Sequence, residues 1–236
     1  MGRSAAALNT LPYWIADRIA DWVVILSEVT PIQWPVHTER LTLRAYMPSD
    51  LDALWAYEQL PQVQHWLGWV PRSRDELRDA MDSKPSNNTH VMVLRNSTII
   101  GHIMIMPRDS WAQMDVAERA KGLEAELGWM FNPAHGGKGY ATEAVSAAIS
   151  ICFDVLNVRR IHAGCFADNA ASWRLMERLG LRREEHSRAA ALHRDGTWHD
   201  GFTYALLREE WPTPPALRLE LRSSRLPHAP RPHRGR

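Results

Sequence analysis

The sequence predicts an α/β fold built on a mixed, mostly antiparallel sheet. Strand-like and helix-like stretches alternate along the chain, which is the pattern of helices packed on a sheet. The turn-like dipeptide at 96–97 joins two alternating stretches, as in an antiparallel hairpin. A glycine-rich segment at 136–139 links an apolar strand to an amphipathic helix. These three observations require antiparallel pairs and at least one strand-to-helix connection.

The first elements follow from local patterning. Residues 41–46 alternate between apolar and polar, which predicts a strand. Ser49 is expected to cap a helix that runs to about residue 60. A tryptophan-rich loop is predicted over 61–69, and a second helix over 75–82 beginning at Ser73.

The middle of the chain predicts a β-hairpin between two irregular stretches. Residues 84–89 are polar and turn-like, and strands are expected at 90–95 and 98–106. The Asn-Ser pair between those strands favours a tight turn because Asn tolerates positive φ. Residues 107–122 are charged and polar and predict a mobile surface excursion.

The second half alternates strand and helix and closes with a hairpin. Strands are expected at 123–131, 160–166, 181–188 and 197–207, and helices at 140–155 and 170–179. Gly180 directly follows the last predicted helix and is expected to end it in the left-handed conformation.

The most informative motif is the strand, turn and helix start at residues 126–143. Gly136, Gly137 and Gly139 allow a sharp turn and a close approach of the backbone to a ligand. The helix after the turn favours an anionic group such as a pyrophosphate at its N-terminus. The spacing matches neither a P-loop nor a dinucleotide-binding fingerprint. The turn alone therefore predicts a site for a phosphorylated ligand or a tight turn without one.

Four motifs in order resemble the GNAT superfamily of acyl-CoA-dependent N-acetyltransferases. They are the opening strand and helix at 38–51, the turn at 126–143, the helix motif at 167–181 and the closing hairpin strand at 195–211. The first and last resemble the RimJ/RimL-like branch, which acetylates ribosomal-protein N-termini. The resemblance covers about residues 38–211 and implies the GNAT fold, with acetyl-CoA as the acetyl donor.

The resemblance also implies which residues contact the cofactor. The turn would hold the CoA pyrophosphate, and the strand before it and the later helix would flank the pantetheine arm. The residues at the corresponding positions are Trp129, Met130, Phe131, Gly136, Gly137, Lys138, Gly139, Tyr140, Ala141, Thr142 and Asn169. The residue type differs at one of these positions, since Gly136 stands where most members have Gln or Arg.

Two side chains are candidates for proton transfer. Glu126 precedes Gly128 by two residues, as the strand glutamate of the resembled branch does, and would accept the proton of the amine. Glu124 shares its strand face and is the alternative base. Ser172 matches the family's helix serine near the CoA sulfur, where it would protonate the thiolate. The alternatives to a catalytic role are that Glu126 is an ordinary surface carboxylate and that Ser172 is a structural serine in the first turn of its helix.

Composition indicates an ordinary globular chain without a metal site. The 236 residues carry a net charge of +1 and are 45% hydrophobic, so nothing global favours nucleic acid or membrane binding. Cys152 and Cys165 have no metal-ligand spacing. Of the 11 histidines, His228 and His233 form one close pair, and no zinc site is expected. The absence of a signal peptide predicts a cytoplasmic protein.

Segments at both ends lie outside the resemblance. Residues 1–37 contain a helix-spaced apolar series between Trp14 and Leu26, interrupted by acidic residues. It is too short and too charged for a membrane span and is expected to dock on the domain or on a second copy of the chain. Residues 212–236 are rich in proline and arginine, which predicts a disordered tail.

The sequence therefore predicts an N-terminal extension at 1–37, a GNAT domain at 38–211 and a tail at 212–236. The leading function is acetyl transfer from acetyl-CoA to a primary amine, foremost a protein N-terminal α-amine. The basic tail would then contact ribosomal RNA electrostatically. The alternatives are acetylation of a small amine, such as an antibiotic or polyamine, and a non-catalytic acyl-CoA-binding module.

Overall fold

The computed structural model describes residues 32–82 and 89–212, and within them eight strands form one mixed sheet. The strands are β1 Val36–His37, β2 Thr42–Ala45, β3 Thr89–Arg95, β4 Thr98–Arg108, β5 Glu124–Phe131, β6 Arg160–Phe166, β7 Arg182–Leu192 and β8 Trp198–Leu207. Their spatial order is β1-β2-β3-β4-β5-β6-β8-β7. Neighbouring strands are antiparallel except β5 and β6, which are parallel. The predicted mixed, mostly antiparallel sheet is confirmed.

Helices flank this sheet. They are α1 Leu51–Glu58, α2 Pro61–Gln64, α3 Arg74–Asp82, α4 Tyr140–Ser150 and α5 Ala170–Arg178. A π-helical turn at Ile151–Val155 continues α4, so the predicted helix over 140–155 is confirmed. Short 3-10 turns lie at Pro48–Asp50, Met114–Ala120, Pro133–His135 and Arg208–Glu210.

Two apolar clusters hold the helices on opposite faces of the sheet. Side chains alternate between the faces of a strand, so Val91 and Val93 join the cluster under α4 and α5. Met92 lies on the other face of the same strand and packs against Leu54 of α1 and Leu77 of α3. Burial of each such side chain contributes roughly 1.5–3 kcal/mol. Both faces of the central strands are therefore covered by helices.

Two predicted chain reversals are confirmed in detail. Asn96 and Ser97 both adopt positive φ, 47° and 67°, as a two-residue hairpin turn requires. Gly180 has φ of 83°, and the N–H of Leu181 donates to the carbonyl of Met176 at 3.0 Å. This bond closes α5 in the manner expected of a left-handed glycine.

Some element boundaries differ from the predictions. Ser49 lies inside the turn Pro48–Asp50 and does not cap α1, because the Asp50 carboxylate organises this turn by accepting from the N–H of Met47 at 2.8 Å. The predicted loop over 61–69 contains α2, with Pro61 in its first turn.

Two strands are also longer than predicted. β4 continues to Arg108 because its main chain stays paired with β5 as far as Arg108↔Glu124, and a 3-10 turn occupies much of the remaining excursion. β7 continues to Leu192 because it resumes pairing with β8 after a bulge.

Several predictions fall on residues outside the described ranges. Residues 1–31, 83–88 and 213–236 include the predicted N-terminal helix, most of the polar turn and most of the basic tail. The sheet itself begins at Val36, just before the predicted domain start at residue 38. Among the described residues, no helix combines the length and apolar character needed to cross a membrane.

Candidate active site

A gap opens in the middle of the sheet between β5 and β6. The two strands are paired over only three residue pairs, the last being Glu126↔His162. Beyond this point β5 remains paired with β4 as far as Phe131, and β6 remains paired with β8 as far as Phe166. The sheet divides into two halves, and Glu126 and His162 mark the vertex of the gap.

The main chain of β5 determines which groups line this gap. The carbonyl of Leu123 accepts from β6, whereas the N–H of Asn132 donates to β4. Successive strand residues direct their main-chain groups to opposite edges, so those of Trp129 and Phe131 face the gap. Met130 directs its main chain to β4 and packs its side chain against the cluster under α1. The predicted cofactor strand thus presents alternate residues to the gap.

The glycine turn concentrates main-chain donors at the end of the gap. The six consecutive N–H groups of residues 137–142 donate no hydrogen bond to any other described residue. Gly137 and Gly139 have φ of 73° and 78°, a conformation that favours glycine. The turn leads into α4, an eleven-residue helix whose N-terminus adds partial positive charge. Such a cluster of donors is suited to an anion.

The predicted turn residues lie together in this region, with different roles for their groups. The N–H of Gly136 is engaged, since it donates to the carbonyl of Pro133 at 2.9 Å. The ring of Tyr140 is buried, with the guanidinium groups of Arg40 and Arg95 at 4.9 and 5.3 Å from its centroid. Tyr140 can therefore contact a ligand through its main chain while its side chain anchors the helix start.

Glu143 fixes the turn to the loop between β1 and β2. Its carboxylate accepts from the Thr38 hydroxyl at 2.6 Å, the Arg40 N–H at 2.8 Å and the Arg40 guanidinium at 2.7 Å. Burial favours the protonated acid, but these hydrogen bonds outweigh it and hold the pKa of Glu143 below its ordinary value. Arg40 also donates to the carbonyl of Lys138 at 3.0 Å. The turn is thus pre-organised without a ligand.

Glu126 lies at the vertex with one oxygen engaged. Its Oε2 accepts from Nη2 and Nε of Arg108 at 2.9 and 3.2 Å. Within residues 32–82 and 89–212, Oε1 accepts no hydrogen bond, and the side chain is 24% exposed. One oxygen of this partly exposed carboxylate is therefore without a partner among the described residues.

Glu124 shares the strand face of Glu126, as predicted, but lies within the paired part of the sheet. It binds Arg160 at 3.1 Å, and Arg160 also binds Glu184 at 2.5 Å. Because Glu124 is two residues before the vertex and belongs to this surface network, its position favours a structural role.

Sequence reasoning missed His162, the cross-strand neighbour of Glu126. Burial lowers the pKa of His162 below 6.5, the nearby Glu126 opposes this shift, and Arg160 adds to it. The imidazole is thus kept neutral at physiological pH beside the candidate base. Only the parallel register brings the two together, and no local signal in the sequence reveals it.

The start of α5 contains the two predicted residues of that helix. Asn169 caps it, since its Oδ1 accepts from the N–H of Ser172 at 3.2 Å. The Ser172 side chain hydrogen-bonds that of Cys165 on β6. Burial raises the pKa of the Cys165 thiol to about 11, although the bond from Ser172 lowers it. Ser172 therefore lies beside β6, the strand that borders the gap.

An aromatic wall stands at the far end of β6. Phe166 occupies the same strand face as His162 and lies 6.0 Å from Trp66, between ring centroids. Two other tryptophans of this region take no part in the wall: Trp55 packs in the cluster under α1, and Trp69 is 45% exposed. The strand face that carries His162 thus leads from the vertex to the wall formed by Trp66 and Phe166.

Comparison with known proteins identifies the domain type. The family model of the acetyltransferase (GNAT) domain matches residues 40–182, which include the gap and the glycine turn. The uncharacterized N-acetyltransferase YnaD of Bacillus subtilis is 28% identical over 179 residues, covering 75% of this chain and 98% of that protein. The ribosomal protein uS5-alanine N-acetyltransferase of Escherichia coli is 33% identical over 85 residues, covering 36% of this chain and 43% of that enzyme.

Solved structures show the same architecture. A GNAT-family acetyltransferase from Bacillus anthracis superposes with a TM-score of 0.61 at 28% identity, covering 75% of this chain and 99% of that one. Spermidine N-acetyltransferase from Vibrio cholerae, solved with CoA and spermine, gives a TM-score of 0.59 at 20% identity over 72% of this chain and 97% of that one. The second likeness concerns the fold alone.

The lowered pKa of His162 predicts a pH dependence of folding stability. At a pH between its folded pKa and 6.5, the unfolded chain binds a proton that the folded chain excludes. The free energy of unfolding therefore falls as pH drops below 6.5. Above pH 6.5 the contribution of His162 to that free energy is fully present. His162→Gln cannot titrate, so it should lose less stability than the wild type between about pH 7.5 and about pH 5.5. Urea unfolding at both pH values measures the difference, and equal losses would contradict the assignment.

Proposed function

The chain belongs to the GNAT acetyltransferase family and is an N-acetyltransferase, and we propose that its acceptor is the N-terminal α-amine of a protein. Acetyl-CoA supplies the acetyl group as a thioester. The glycine turn would hold its pyrophosphate through the six N–H groups that have no partner among the described residues, and the gap edge of β5 would lie along the pantetheine arm. The single observation that carries this proposal is that the gap between β5 and β6 leads to the glycine turn with its unpaired N–H groups within the described residues.

The gap edge also offers a donor for the reacting carbonyl. The main-chain N–H of Trp129 faces the gap, and a fixed amide dipole can stabilise negative charge that develops on a carbonyl oxygen. Because the donor belongs to the backbone of a strand paired with β4, it needs no reorganisation during the reaction. Binding both reactants in one cleft also lowers the entropic cost of their encounter.

In this proposal Glu126 accepts a proton from the acceptor ammonium, and the neutral amine that results attacks the thioester carbonyl. Oε1, which accepts no hydrogen bond within the described residues, would take that proton, while Arg108 holds Oε2. His162, neutral and adjacent across the strands, receives or relays that proton. Ser172 then donates a proton to the leaving thiolate and regains one from solvent.

The charges around the vertex favour a singly charged acceptor. Glu126 is paired with Arg108 and Glu124 with Arg160, so the carboxylates on this face are largely neutralised. A polyamine carries several ammonium groups and would need a strongly acidic cleft. A protein α-amine carries one charge and has an ordinary pKa of about 7.7–8.0, so roughly a tenth of it is already neutral near pH 7, far more than of an amine with a pKa near 10. The E. coli relative that acts on ribosomal protein uS5 supports the same class.

The proposed cofactor site is tested by Gly139→Asp. This change should abolish CoA binding, because φ of 78° disfavours a side chain and a carboxylate there would repel the pyrophosphate. Gly196→Asp is the matched control, since Gly196 has φ of 87° but lies in the turn between β7 and β8. Both changes should cost roughly 1–2 kcal/mol of stability. Calorimetric titration with CoA decides, and wild-type affinity in Gly139→Asp would refute the site.

The proposed base is tested by comparing Glu126→Gln with Glu124→Gln. Loss of a general base should reduce kcat/KM of Glu126→Gln by about 10²–10⁴-fold, with little change in the Kd for acetyl-CoA. Glu124→Gln should keep most activity, because the Glu124 carboxylate is engaged by Arg160, which also binds Glu184. The reverse ranking in a free-thiol assay would assign the base to Glu124.

The acceptor class is tested with matched amines. Peptides with a free N-terminus should be acetylated with a higher kcat/KM than spermidine or an aminoglycoside. The same peptides with a blocked N-terminus and an internal lysine should be inactive. A higher kcat/KM for the small amines would contradict the proposed acceptor class. Binding of CoA without turnover on any amine would indicate a non-catalytic module.

A further inference from the structure

The turn between β7 and β8 brings together three groups that commonly bind metal ions. One ligand atom each from His193, Asp195 and His199 lies within 4.8 Å of the other two. Nδ1 of His193 lies 2.9 Å from Oδ2 of Asp195, and Nε2 of His199 lies 3.9 Å from the same oxygen. Sequence spacing alone predicted no such site, because the turn must fold before the groups converge.

The second nitrogen of each histidine is already engaged. Nε2 of His193 lies 2.8 Å from the carbonyl oxygen of His65, and Nδ1 of His199 lies 2.6 Å from Oδ2 of Asp168. A metal-bound histidine usually donates its other N–H to a carbonyl or carboxylate, which fixes the tautomer with a bare nitrogen toward the ion. Both rings meet this condition, so Nδ1 of His193 and Nε2 of His199 are the nitrogens that a metal could use, and an ion there would displace the Thr197 hydroxyl from Nε2 of His199.

His193 is buried between two oxygen atoms. Its ring is 4% exposed and has an oxygen atom beside each nitrogen. A neutral imidazole has one N–H and can satisfy only one of these oxygens. The remaining contact would oppose a lone pair to a carboxylate, and the backbone N–H of Asp195 reaches Nδ1 only at 3.4 Å. A metal ion between the two groups would remove this repulsion.

We propose that His193 Nδ1, an Asp195 carboxylate oxygen and His199 Nε2 bind a divalent transition-metal ion such as zinc, with solvent as the remaining ligand. Two imidazoles and a carboxylate suit zinc, cobalt and nickel better than magnesium or calcium. The Asp195 side chain is 49% exposed, so an ion and its water can enter from solvent. The Thr197 hydroxyl, 2.7 Å from His199 Nε2, would retain its 2.6 Å bond to Asp195 Oδ1.

The ion would organise the acceptor end of the cleft and take no part in acetyl transfer. His193 and His199 contact Phe166 at ring-centroid distances of 5.6 and 5.8 Å. The supporting groups come from the segment after α2, through His65, and from the end of β6, through Asp168. A bound metal would therefore fasten the β7–β8 turn to the wall formed by Trp66 and Phe166, independently of which amine is acetylated.

The test uses the full-length protein without a histidine tag, stripped with a chelator and titrated with Co²⁺ and Zn²⁺. We expect one equivalent of cobalt with the absorption of a four-coordinate site, displaced by zinc, and a melting temperature that rises with zinc. His199→Gln should abolish the spectrum and the rise. Asp168→Asn removes only the supporting carboxylate and should weaken binding by about 10–100-fold.

His186→Gln is the matched control, because His186 lies on β7 and binds Asp200 away from the three ligands. It should bind metal as the wild type does. If the buried His193 cannot be replaced without unfolding, His199→Gln and Asp168→Asn decide the matter. Absence of stoichiometric binding, or binding that persists in His199→Gln, for example at His228 and His233, overturns the proposal.

Discussion

The early end of parallel pairing between β5 and β6 is the constraint on which the rest of the site depends. Each strand keeps its antiparallel partner along its full length, so the separation leaves one edge of each without a sheet neighbour. Main-chain groups without partners are costly when they are also removed from water. Such an edge is stable only where solvent or a ligand completes its hydrogen bonds, and an extended pantetheine arm has the length and polarity to do so.

The glycine turn likewise presents main-chain groups without partners among the described residues, here at the start of a helix. A helix always leaves its first N–H groups unsatisfied, and here the left-handed glycines add further donors to that set. The turn does not collapse onto these donors because Glu143 fixes it from behind, through Thr38 and Arg40. An ionised carboxylate in the first turn also complements the helix dipole. The fold therefore holds an anion site open in advance of binding.

The acceptor side is shaped by charge compensation and by rings. At the vertex, arginines on neighbouring strands balance both glutamates, which leaves one carboxylate oxygen of Glu126 available for proton transfer. At the far end, Trp66 and Phe166 meet the histidines of the β7–β8 turn. Selection of an acceptor would depend on this combination of a nearly neutral vertex and an aromatic rim.

The sequence by itself determined the features that depend on local conformation. Positive φ at Asn96, Gly139 and Gly180, the cap formed by Asn169, and the alternation that separates Val91 from Met92 all act within a few residues. For this reason the hairpin, the glycine turn, most helices and the family resemblance could be predicted. The predicted element boundaries were wrong where pairing with a residue distant in sequence lengthened an element. Pairing with β5, for example, extends β4 to Arg108.

Only the tertiary structure decided which distant side chains meet. His162 stands beside Glu126 because of a parallel register between strands some 36 residues apart, as for Glu124 and Arg160. The His193, Asp195 and His199 group acquires its supporting contacts from His65 and Asp168, which belong to other elements. Register and packing are properties of the whole sheet, set by the burial of both faces and the twist of its strands. No local signal encodes them, so the partners of the candidate base and the metal-ligand geometry appear only in the folded chain.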